Sequence, residues 1–115
     1  MAVIYHLTLR DAWETALTKG EYAADTLSGE GFIHASEDER QAIGVANRLF
    51  VGANDLIALE IDTSHLRSHI KREPGGNGEI YPHIYGPINI VSVARVLPVC
   101  VDEGGQFSRF GDAQA

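Results

Sequence analysis

The N-terminal segment alternates. Val3, Tyr5 and Leu7 fall on one side, and Ile4, His6 and Thr8 on the other, which predicts a strand from Val3 to Thr8. The period then lengthens. Trp13, Ala16 and Leu17 form one stripe of a helix that opens at Thr8 and runs through about Lys19, with Gly20 as its stop. Tyr22 to Glu30 has no clean period and reads as a loop. Gly31 to Ala35 is a second short strand, and a helix from Ser36 to about Phe50 follows. That helix should bury Ile43, Ala46 and Phe50, with Ala42, Val45 and Leu49 alongside and Gly52 at the cap.

Both helix starts carry a hydroxyl followed three residues later by an acid: Thr8 with Asp11, and Ser36 with Glu39. This is capping-box spacing, and it makes Thr8 and Ser36 the expected caps. After the Asn54-Asp55 turn, Leu56 to Asp62 alternates as a strong strand, and Arg67 to Glu73 reads as another. Pro74 to Gly78 is a loop. Glu79 to Tyr85 contains Pro82, which predicts a short or edge strand. Val91 to Val99 is a last core strand. From Asp102 the chain turns Gly-rich and polar, so the expected division is one domain over 1–101 and a frayed tail over 102–115. The tally is α+β: a single compact domain with two helices in its N-terminal half. Its sheet, antiparallel or mixed, would hold about five to six strands.

A chain of 115 residues can bury a core without disulfides or metal. Its formal net charge of -7 opposes binding to nucleic acid, whose affinity rests on cationic contacts to phosphate. No apolar run approaches the roughly 20 residues needed to cross a membrane. The single cysteine, Cys100, and an N-terminus without a basic start fit a reducing cytoplasm.

The candidate chemistry sits in two places. His6 with Thr8, and His34 with Ser36, repeat a His-x-hydroxyl pattern at strand ends, where imidazole can donate, accept or titrate. The plainer reading has the hydroxyls capping helices and the histidines bonded to carbonyls. Gly78 to Pro87 packs Glu79, Tyr81, His83 and Tyr85 between glycine and proline hinges, as a binding wall or as a packed aromatic turn. His65 and His69 have the spacing of a metal pair on a helix. Leu66 stands where a zincin needs Glu, and the segment reads as loop or strand, so no metal is expected there.

Ile4-Tyr5-His6, Gly31-Phe32-Ile33-His34-Ala35-Ser36, Leu59-Glu60-Ile61-Asp62 and Pro82-His83-Ile84-Tyr85-Gly86-Pro87 resemble the domain-of-unknown-function family 952 from about Val3 to Leu97. That family looks like a remote relative of the ADP-ribosyltransferase fold, a split sheet that grips NAD. The resemblance implies a nucleotide-type ligand, with NAD as a substrate, and either ADP-ribosyl transfer or cleavage of the NAD glycosidic bond. On this reading Glu79 and His83 are the catalytic candidates. His6, Thr8, His34, Ser36 and Tyr85 contact the ligand, and Arg10, Arg48 or Arg72 answers its phosphates. The acidic run Glu37-Asp38-Glu39 makes the second helix start a poor phosphate site. The alternative is a non-catalytic module that binds a small ligand or partner in the same pocket. A third reading is a metal-dependent hydrolase using His6, His34 and His83.

Overall fold

A computed structural model describes residues 2–113. Its first strand, β1 (Val3–Leu9), pairs antiparallel with β4 (Leu56–Asp62) from Val3 opposite Asp62 to Leu9 opposite Leu56. β4 pairs on its other side with β8 (Val93–Val101), and β9 (Phe107–Phe110) extends β8. β4 is buried along its whole length, although its sequence alternates. A central strand with both sheet faces covered has no solvent side, and each face here meets its own core. Ile57, Leu59 and Ile61 join Ile4, Trp13 and Ile84 in one, while Leu56 and Ala58 join Leu7, Ala42 and Phe107 in the other.

Two smaller sheets complete the fold. β3 (Ile33–His34), β6 (Ile80–Tyr85) and β5 (His69–Pro74) form one, in that order. β2 (Glu21–Tyr22) and β7 (Ile88–Asn89) form the other. All the strand pairs are antiparallel. The described residues thus hold nine strands and three helices, not the five or six strands and two helices expected. Much of the excess lies in two-residue strands, too short to leave a period. Within the described residues no helix is long and apolar enough to cross a membrane.

Several local expectations are corrected. Helix α1 (Arg10–Lys19) starts after Leu9, which makes no side-chain cap; the Thr8 hydroxyl bonds Tyr22 instead. Gly20 does end α1, in the left-handed conformation at φ 87°. Trp13 and Ala16 are buried on α1, but Leu17 is half exposed. The expected loop over 22–30 contains β2 and helix α2 (Asp25–Glu30). Helix α3 (Glu39–Leu49) is capped by Asp38, whose side chain accepts from the Gln41 N–H at 2.8 Å. Gln41 Oε1 in turn accepts from the Glu37 N–H. Ser36 is kept from that role because its backbone is paired with Tyr5. Asp38→Ala is therefore expected to cost about 1 kcal/mol in urea unfolding, the usual worth of an N-cap. An unchanged midpoint would refute that cap.

α3 buries Ala42 and Ala46 fully. Ile43 and Phe50 lie at its margins, and Leu49 is exposed. Small residues let this helix lie close over Leu7 and Ala58. Pro82 lies in the middle strand of its sheet, against the edge-strand rule. Its carbonyl accepts from the Ala35 N–H at 3.1 Å, so its ring nitrogen faces the end of the two-residue β3 and costs little pairing. The tail is also corrected. Phe107 is buried in the second core, and Asn47 brackets it by donating to its carbonyl and accepting from its N–H, both at 2.8 Å.

Candidate functional site

The two larger sheets meet at one point. Tyr5 donates to the Ser36 carbonyl at 2.9 Å, and Ser36 donates back at 2.7 Å. Beyond this bridge β1 and the β3–β6–β5 sheet part. Antiparallel alternation turns the Leu7 N–H and C=O to the same side as those of Tyr5, away from β4. Among the described residues they find no partner there. A cleft of about 970 Å³ runs through this gap, lined from both sides by β1, α1, the β2–α2 segment, β3, β6 and the C-terminal end of α3.

His6, on the β1 face turned to α1, is fully engaged. Its Nδ1 lies 2.5 Å from the His34 carbonyl, which only accepts, so that nitrogen carries the proton. Nε2 lies 2.9 Å from the Tyr22 hydroxyl, which is also 2.9 Å from Thr8 Oγ1. Burial holds the ring's pKa down to about 4, against the help of the His34 carbonyl. At neutral pH the ring is therefore uncharged, and its Nε2 lone pair faces the Tyr22 hydroxyl. Protonation would require Tyr22 to donate to Thr8 alone. Burial also raises the Tyr22 pKa, so its phenol keeps its hydrogen.

On the opposite face β3 and β6 set His34 directly beside His83. The two rings meet edge to face at 5.5 Å, and Phe32 stacks on His83 at 4.0 Å with 16° between planes. His83 is buried; its Nδ1 lies 2.8 Å from Glu73 Oε1. The same oxygen accepts from the Tyr85 hydroxyl at 2.5 Å. Those two bonds, Tyr85 first, hold the Glu73 carboxyl below its usual range and push the Tyr85 phenol up. His34 is exposed, with Nε2 3.2 Å from Glu30. Ser36 is 3% exposed and lines the cleft, and its hydroxyl has no partner among the described residues.

Of the residues singled out from sequence, His6, Thr8, His34, Ser36, Arg48 and His83 line this one cleft. Glu79, Arg72 and Tyr85 do not. Glu79 accepts from Arg40 and Gln41, both at 3.3 Å, and ties the β5–β6 loop to the start of α3. Arg72 pairs with Glu37. Tyr85 reaches the site through Glu73 and through its ring contact with Phe32 at 5.5 Å. The three cleft histidines each have a separate partner, and no group of three or more described His, Cys, Asp or Glu side chains is placed to hold a metal. His65 stands 3.7 Å from Asp62, while His69 opens β5, so the two do not share a helix. Sequence reasoning passed over Tyr22, Phe32, Glu73 and the Leu7 backbone. Only Glu73 left a signal: the Pro74–Gly78 turn folds it back beside His83.

Residues 7–96 match the family model described as "Protein of unknown function (DUF952)". Among curated proteins, none matches the chain. The crystal structure of protein CC0527 from Caulobacter crescentus is 28% identical, with a TM-score of 0.81 over 92% of this chain and 93% of that one. Its solution NMR structure, also 28% identical, gives 0.79 over 94% and 93%.

Proposed function

Because the chain belongs to the DUF952 family, whose description assigns no activity, we propose from its geometry that the cleft binds a small planar, amide-bearing ligand of nucleotide type, with NAD as the candidate. The observation that carries this is the unpaired edge of β1 at Leu7. A carboxamide oxygen can accept from the Leu7 N–H while its NH₂ donates to the Leu7 carbonyl, as a neighbouring strand would. The Phe32, His83 and Tyr81 rings offer flat surfaces. Ser36 offers a free hydroxyl. Lys19 and Arg48 at the rim suit a diphosphate, although Asp11, Glu21 and Asp25 line the same cleft and temper that charge. The volume is sufficient for a ligand of this size.

Binding is a firmer reading than ADP-ribosyl transfer. Transfer through Glu79 needs its carboxylate beside the developing charge on the ribose, and Glu79 stands outside the cleft. The test is an amide NMR titration with NAD and with ADP-ribose, which lacks the carboxamide. NAD should move the Leu7 and Ser36 amides; ADP-ribose should bind more weakly and leave Leu7 in place. If neither compound moves either amide, the reading is wrong.

A further inference from the structure

We infer that His83 is a catalytic base in this cleft, directing water at the glycosidic carbon of an NAD-type ligand, with Glu73 as its positioning residue. The inference rests on the NAD reading above. Of the three cleft histidines, only His83 is both buried and left with one nitrogen unpartnered. A carboxylate oxygen only accepts, so Glu73 fixes the proton on His83 Nδ1. Nε2 then carries the lone pair, and among the described residues nothing donates to it. Phe32 stacked at 4.0 Å fixes the plane of the ring. The second bond to Glu73, from Tyr85, holds the carboxylate in turn. This is a base oriented by an acid that is itself oriented. His6 cannot serve, since both its nitrogens are engaged. The Nε2 of exposed His34 is turned to Glu30.

The step balances without a further reactant. Water oxygen bonds to C1′ of the nicotinamide ribose as the C1′–N bond breaks, and that electron pair leaves with neutral nicotinamide. The water proton passes to His83 Nε2, and Glu73 balances the imidazolium before the proton returns to solvent. The products are ADP-ribose, nicotinamide and a proton.

The full chain incubated with NAD between pH 5 and 9 should release nicotinamide, measured by proton NMR. His83→Gln should reduce the rate by about a hundredfold or more, while NAD, held more weakly without that ring, still moves the Leu7 amide. Glu73→Gln should lower kcat with KM unchanged. Without the carboxylate, the imidazolium formed on the His83 ring is left unbalanced, so the loss persists at saturating NAD. The other groups facing this ring are Tyr85 with Lys71 over it, and His34 with Glu30. Of these, Tyr85 also loses its charged acceptor in that variant. Nitrogen-15 spectra of the unaltered protein should show His83 protonated at Nδ1 and bare at Nε2. An Nε2–H tautomer, or His83→Gln turning over at the original rate, overturns the proposal. Amide shifts without nicotinamide release overturn it too and leave the binding reading standing. Absence of shifts removes both.

Discussion

Phe107→Ala should lower the free energy of unfolding by about 3–5 kcal/mol, the range for removing a buried phenyl ring. Phe107 lies only six residues beyond the end of β8, in a stretch whose glycines and charges suggest fraying. Yet its ring is 5% exposed and packs with Leu97, Val99 and Ala46. Asn47 treats it as an adjoining strand would, offering one donor and one acceptor. Glu39 secures the end of the same strand by accepting from the Phe110 N–H at 2.8 Å. A domain of this size is stable by about 5–15 kcal/mol, so the substitution should take a large share of the total. Urea unfolding of the variant measures it. A loss under 0.5 kcal/mol, the usual effect at an exposed position, would mean that β9 is not docked in solution.

The second large effect is an acid instability that belongs to His6. The ring titrates near 6.5 in an unfolded chain and at about 4 in the fold. Above pH 6.5 both states are neutral, and the residue contributes no pH dependence. As pH falls from 6.5 toward 4 the unfolded chain takes up a proton that the folded one refuses. Stability therefore declines across that window, by about 3 kcal/mol in all. Glu60 acts in a lower window. The Arg95 guanidinium, bonded at 2.8 and 2.7 Å, holds its carboxyl below the usual range, and that support goes only as pH drops through the lowered value. Urea midpoints at pH 7.5 and 4.5 for the unaltered protein and His6→Gln separate the two. The difference between pH values should shrink by most of that 3 kcal/mol in the variant. Parallel behaviour would show that His6 is protonated in the fold.

The elements readable from sequence were those long enough to show a period or bounded by a hard stop. Leu56 to Asp62 carries seven residues of unbroken pattern, and Gly20 ends α1 because only glycine takes its backbone angle without strain. β2 and β7 exist through pairing with each other across a long stretch of chain, so two residues of sequence cannot announce them, whereas β3 lies inside the strand expected over Gly31 to Ala35. The capping spacing misled for a related reason. Ser36 and Thr8 had the right neighbours for caps, but tertiary contacts claimed them first. Ser36 gave its backbone to Tyr5, and Thr8 gave its hydroxyl to Tyr22. At the site, the histidines stood out because the residue type is chemically rare. The edge of β1 did not, since an unpaired peptide group leaves no mark on the sequence. Glu79 looked suited to chemistry because it was an acid beside His83. The hairpin instead turned Glu73 toward the ring and left Glu79 to hold α3.

The joint between Tyr5 and Ser36 is built from main-chain groups alone. Every amino acid but proline supplies the same pair, so the width of the opening does not depend on which side chain stands at position 36. Family members can thus exchange the chemistry of that wall while the frame around it keeps its shape. A hydroxyl here, and something else in a relative, would give two ligand preferences on one unchanged scaffold.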